Sequence, residues 1–162
     1  MQTACPILHH FAEGRPAGTE PDHARAGPVI PEPEWQTGTA VSATEELVDR
    51  FFAAIEAVDI AALRGIYATD AVVWHNDSQA EEGVEDNLRT LASVHRKVKG
   101  PRYTQIRRVM ADDGLVQQHV LCGTAPGGAL LIPAIVRIYV LDDHITRIEE
   151  YLDPRQAEVL RG

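Results

Sequence analysis

The residue pattern predicts an α+β domain, a cone in which N-terminal helices cover one face of a curved, mainly antiparallel sheet. Two observations carry this. From Ser42 to Gly100-Pro101 most apolar positions recur at helical spacing, whereas beyond it they alternate in four runs separated by short joints. A third observation sets the boundaries. Six of the ten prolines, with Gly14, Gly18, Gly27 and Gly38, fall in the first 40 residues. Residues 1–40 are therefore expected to form a flexible leader, 41–155 the folded domain and 156–162 a short C-terminal tail.

Each element has its own signal. Ser42 followed by Glu45 can form a capping box, and Leu47, Val48, Phe51, Phe52 and Ile55 then make one apolar helical stripe. Asp59 can cap a second, shorter helix carrying Leu63, Ile66 and Tyr67. Residues 71–76 read as a strand that ends in Trp74-His75-Asn76. A polar loop over 77–82 leads to a helix with Val84, Leu88, Leu91, Val94 and Val98 on one side, stopped by Gly100-Pro101. Four strands follow, over 103–111, 115–124, 129–141 and 145–152. Joints as short as Asp112-Asp113-Gly114, Pro126-Gly127-Gly128 and Asp142-Asp143-His144 make sequential antiparallel hairpins. A curved sheet closed by helices has an apolar interior and one mouth, the usual setting for a small-molecule pocket.

Composition narrows the function. The formal net charge is −9 with no dense basic cluster, which argues against nucleic acid and against anionic membrane surfaces. No apolar stretch reaches the roughly 20 residues of a membrane span, and the start lacks the pattern of a secretory signal. The expectation is a soluble cytoplasmic protein. Cys5 and Cys122 fall in unlike segments, so a disulfide framework is not expected. Neither a phosphate-binding glycine loop nor a Gly-x-Ser-x-Gly elbow is present.

The polar residues inside the strands are the site candidates. Alternation groups Glu150 with Ile148 and Leu152, which would bring its carboxylate into the apolar interior as a general acid or base. The bland alternative is an edge glutamate on a less regular strand. In the strand over 115–124, Leu115, Gln117, His119 and Leu121 share a face. A lone buried histidine is more often structural than catalytic, and His119 gains weight only from Gln117 and Glu150. His95 reads as a boundary residue beside the core, and His144 sits in a turn. Tyr67 and Tyr103 can offer hydroxyls to a pocket, although core tyrosines are commoner. Two histidines and a carboxylate raise a facial-triad metal site, but no pair has tight ligand spacing. No metal and no cofactor are assigned.

Residues 63–76, 116–124 and 145–154, the last reading Ile-Thr-Arg-Ile-Glu-Glu-Tyr-Leu-Asp-Pro, together resemble the nuclear transport factor 2-like superfamily. That group includes ketosteroid isomerases, limonene-epoxide hydrolases, scytalone dehydratases and SnoaL-type polyketide cyclases, and the likeness spans about residues 42 to 155. It implies the cone fold. In the isomerase register His75 falls where the catalytic aspartate stands, whereas in the hydrolase register Asn76 becomes the water-holding amide; one residue separates the two. Glu150 matches the hydrolases' final catalytic aspartate. Gln117 and His119 stand where those enzymes use an Arg-x-Asp pair, so that charge arrangement is not reproduced.

The expected activity is that of a cofactor-independent enzyme acting on a small apolar organic molecule by general acid–base chemistry, of lyase, dehydratase or isomerase type. The alternatives are an epoxide-hydrolase-like hydrolase and a non-catalytic ligand-binding or dimerisation domain. His119 and Glu150 are the expected proton-handling pair, with His75 the third catalytic candidate. Either His75 or Asn76 would orient a substrate oxygen or a water. Trp74 would wall the pocket, and Gln117 and Tyr67 would contribute hydrogen bonds. A homodimer is expected through the exposed sheet face near Arg137 and Tyr139.

Overall fold

The computed structural model describes residues 42–161, so the expected leader over 1–40 lies outside the described residues. Helix α1, Ala43–Ala57, starts on the capping box: the Ser42 hydroxyl accepts from the Glu45 amide, and the Glu45 carboxylate accepts from the Ser42 amide. Its stripe of Leu47, Val48, Phe51, Phe52 and Ile55 is buried. Val58 ends the helix in the left-handed conformation at φ 59°. Asp59 then caps α2, Ile60–Ile66, through the Ala62 amide at 2.9 Å. The remaining elements are β1 (Tyr67–His75), β2 (Glu81–Gly83), α3 (Val84–Lys97), β3 (Lys99–Ala111), β4 (Gly114–Ala125), β5 (Gly128–Leu141) and β6 (His144–Leu152). A 3₁₀ helix, Pro154–Leu160, follows.

The sheet has six strands in the order β2-β1-β6-β5-β4-β3. Strands β3 to β6 form an antiparallel meander, while β1 joins β6 in parallel and hairpins onto β2. Helices lie first and pack on the inner face of this curved, mostly antiparallel open sheet, an α+β cone. The β5–β6 joint is a two-residue turn with Asp142 at φ 49° and Asp143 at φ 57°. Left-handed conformations at both central positions match the twist of the strands, and aspartate tolerates them.

Three local expectations are corrected. Tyr67 leaves α2 and opens β1, because an apolar residue at that position satisfies both the helical stripe and the inward parity of Ala71 and Val73. The stretch between Tyr67 and Ala71 was not legible as strand because it bulges: Tyr67 pairs with Ile145, yet Val72 already pairs with Arg147, and Thr69 and Asp70 are exposed. Strand β2 lies in what reads as a polar loop, held by backbone pairing with β1 rather than by apolar side chains. The segment read as a tail is the 3₁₀ helix. Its Ala157, Val159 and Leu160 pack on a second cluster of Val98, Ala125, Leu130 and Ile132. The Gly127 amide donates to the Val159 carbonyl at 2.9 Å, an approach so close that a Cβ at Gly127 would meet that oxygen at 2.9 Å.

The main core joins the α1 stripe to Leu63, Leu88 and the inward residues Leu115, Val136, Ile138, Ile145 and Ile148. Each fully buried side chain of this size stabilises by about 1.5–3 kcal/mol. On the outer face Ile135 and Tyr151, partners across β5 and β6, remain about half exposed.

Candidate active site

His75 is the last residue of β1, and the parallel register sets its Cα beside that of Glu150 in β6. Both side chains face inward with Val73 and Ile148. The imidazole Nδ1 lies 3.0 Å from Glu150 Oε2. Its other nitrogen, Nε2, is buried and has no hydrogen-bond partner, the single such side-chain atom among the described residues. The hydrogen bond to Glu150 raises the His75 pKa above its usual value, burial opposes this, and the charges of Glu150, Glu82 and Asp77 add to it. With Nδ1–H donated to the carboxylate, Nε2 accepts a proton when the ring is neutral and donates one when it is charged.

The pair opens into a cavity of about 60 Å³. Phe51, Phe52 and Ile55 of α1, Leu91 of α3 and Val136, Ile138 and Ile148 of the sheet supply the apolar wall. Two phenols join them. Tyr67 donates to Asn87 Oδ1 at 3.0 Å, and burial with the Glu150 charge pushes its pKa well up. Tyr103 is pushed up in the same way, by burial first and then by Glu150, Glu56 and Tyr67. Both stay protonated at any ordinary pH and offer O–H groups rather than charge. The cavity accepts a few waters but is smaller than the roughly 300–1,000 Å³ of drug-sized sites. A ligand must be small, or Phe51 and Leu91 must turn aside.

His119 is placed differently. It is 2% exposed, edge-on to Phe52 and Tyr103, and its Nδ1 lies 3.1 Å from Gln117 Nε2. Burial pushes its pKa down to about 4, against a smaller upward pull from Glu150. Glu150 is therefore paired with His75 and not, as the strand pattern suggested, with His119. The reason is register. Across the sheet Glu150 is level with Val136 and then Gln117, so His119 is two strands away, roughly 10 Å at normal strand spacing, and one pleat further along.

Three other expectations move. Asn76 turns away from the cavity and bridges the end of β6: its Nδ2 donates to the Leu152 carbonyl and its Oδ1 accepts from the Leu152 amide, each at 3.0 Å. The amide expected to hold a water instead locks two strands together. Trp74, one residue out of phase with His75, lies on the opposite face with its ring 5.3 Å from that of Tyr151, so it does not wall the cavity. Gln117 is buried but bonds to Arg108 and His119. Of the expected site, the structure brings His75, Glu150 and Tyr67 into one cavity and leaves Trp74, Asn76, Gln117 and His119 outside its lining.

Asn87 was missed. Its signal was a polar residue three positions after Val84 on the apolar stripe of α3, where it is now 4% exposed and holding Tyr67. Among the described residues no three His, Cys, Asp or Glu side chains converge as a metal-ligand set. A larger open groove of about 430 Å³ lies near the β5–β6 turn, but its Asp70, Asp142 and His144 are exposed to solvent. The groove has volume, whereas the smaller cavity has the buried, unpartnered nitrogen.

Comparison with known proteins places this geometry in context. The model of the SnoaL-like domain family matches residues 48–148. A proposed SnoaL-like polyketide cyclase from Shewanella putrefaciens is 14% identical, with 74% of this chain and 96% of that one covered at a TM-score of 0.66. A proposed isomerase from Bacillus subtilis is 17% identical, with 74% and 93% covered and a TM-score of 0.65. A protein of ketosteroid isomerase-like fold from Catenulispora acidiphila, in complex with trimethylamine, is 20% identical, with 65% and 84% covered and a TM-score of 0.58. At these identities the likeness is one of fold. No curated protein matches the chain.

Proposed function

The chain belongs to the SnoaL-like domain family, and we propose that it is a cofactor-independent lyase, dehydratase or isomerase that moves a proton on a small apolar organic molecule. The observation that carries this is the His75 Nε2, buried without a partner in an apolar cavity while Nδ1 is held by Glu150. A partly buried carboxylate–imidazole pair of this kind orients the ring and stabilises its charged form, which tunes it for acid–base work.

The reaction needs little else. A substrate carbonyl accepts a hydrogen bond from the Tyr103 hydroxyl, and His75 Nε2 takes the proton from the adjacent carbon. The C–H pair moves toward the oxygen to give an enolate, which Tyr103 stabilises. The proton on Nε2 then returns at another carbon, an isomerisation, or passes to a departing hydroxyl, a dehydration. Tyr67, held by Asn87, shapes the wall beside it. Hydrolysis through a water on Asn76 is disfavoured because that amide is engaged by Leu152.

The test is carbon–hydrogen exchange in heavy water, followed by NMR, over small enones, hydroxy-ketones and aromatic alcohols. Exchange above buffer that disappears in His75→Ala supports the reading. Ligands that bind by thermal shift but exchange no faster than in buffer contradict it and favour a binding domain.

The same reading includes a homodimer. Trp74, Tyr151 and Ile135 adjoin on the outer face of β1, β6 and β5, an apolar patch of the kind that marks an interface. A single monomeric species in sedimentation at micromolar concentration would rule it out.

A further inference from the structure

Polar groups left unused by this chemistry form a line that runs from the exposed Asp49 of α1 to the buried Gln117 and His119. The Arg108 guanidinium reaches Asp49 of α1 at 2.7 Å and, through Nε, donates to Gln117 Oε1 at 2.7 Å. Gln117 Nε2 in turn meets His119 Nδ1 at 3.1 Å. The direction of every bond is determined. Arginine has no acceptor, so the atom of Gln117 that faces it is the oxygen, and the amide NH₂ faces the imidazole. An NH₂ only donates; His119 Nδ1 must therefore accept, and the ring proton resides on Nε2.

We propose that Arg108 is a positioning residue that acts through Gln117 to hold His119 as the neutral, Nε2-protonated tautomer, keeping it out of proton transfer and fixing the ring against which Tyr103 packs. The His119 and Tyr103 rings stand at 88° with centroids 4.8 Å apart, and His119 meets Phe52 at 70° and 5.4 Å. Protonating Nδ1 would set an N–H against the Gln117 NH₂, so a change of state at His119 requires the amide to turn, and Arg108 opposes that turn. Burial of the ring acts in the same direction. The site then has a division of labour: one imidazole carries the proton, and the second is a fixed, uncharged prop under the phenol.

The test is ¹⁵N NMR of the His119 ring at neutral pH, which reads the tautomer directly and does not depend on any turnover. In the unaltered chain Nδ1 is expected in the lone-pair range and Nε2 in the protonated range. Arg108→Met frees the amide, and both nitrogens should shift toward the average of two tautomers. Arg108→Lys, which still donates to Gln117 Oε1, should restore the original pattern. Gln117→Glu replaces the donor by an acceptor and should move the proton to Nδ1; if that variant does not fold, the Arg108 pair decides. A ring protonated at Nδ1 in the unaltered chain, or one unchanged by Arg108→Met, overturns the proposal. Loss of the tautomer in Arg108→Met with no recovery in Arg108→Lys also overturns it, because the effect would then be one of packing.

Discussion

His75 and His119 both face the interior of one sheet, and the protein treats them in opposite ways. His75 ends β1 beside a carboxylate, keeps one nitrogen unpartnered, and has its pKa raised. His119 sits in the middle of β4 between aromatic rings, has an amide donor at Nδ1, and is pushed down to about 4. The chemical group is the same; the difference lies in what surrounds it. Where β6 brings Glu150 level with the His75 ring, charge is favoured, and where burial among Phe52 and Tyr103 strips the His119 ring of water, with Gln117 of its own strand at Nδ1, neutrality is favoured.

The comparison breaks most visibly in activity. His75→Ala removes the proton-transfer group and should lower turnover by about 10²–10⁴-fold, with the folded-state spectrum retained because the residue lies at a strand end. Steady-state rates on any substrate found by the exchange screen measure this.

Stability against pH separates the two rings in sign. The unfolded chain binds a proton at His119 near 6.5, whereas the folded chain does so only near 4. Stability therefore falls as pH drops through that window, by about 3 kcal/mol in all at 1.36 kcal/mol per pKa unit. His75 works the other way: its contribution is complete below the unfolded value of about 6.5 and is lost as pH rises through the raised native one. Urea unfolding between pH 4 and 7 should show a shallower acid loss in His119→Phe than in the unaltered chain. Equal slopes would remove the burial account of His119.

A smaller effect tests how the strand end is held. Asn76→Ala deletes both bonds to Leu152 and should cost about 1–3 kcal/mol, at 0.5–1.5 kcal/mol for each bond. The His75 resonances should broaden or shift while those of His119 stay in place. Movement of both would mean that the two regions are not independent.

These contrasts explain what could and could not be read from the residues. The Ser42–Glu45 box, the α1 stripe and the three short hairpin joints are local signals, and each formed as expected. The inward facing of Glu150 followed from alternation with Ile148 and Leu152. The facing of His75 was obscured because 71–74 is apolar on both sides, Ala71 and Val73 meeting the core while Trp74 meets Tyr151 outside. Its partner was less legible still. Alternation tells which face a side chain takes, not which strand lies next to it, and the parallel contact of β1 with β6 joins residues 75 positions apart. The bulge after Tyr67 and the short β2 depend on the same long-range pairing.

The most direct test of the His75–Glu150 pair is the pH titration of the His75 ring protons by NMR, in the unaltered chain and in Glu150→Gln. A midpoint above the usual 6.5, falling toward or below that value once the carboxylate is replaced, is the expected result, since burial remains and its counterweight is gone. A midpoint at or below 6.5 that does not respond to Glu150→Gln would contradict the assignment of His75 as the oriented acid–base group.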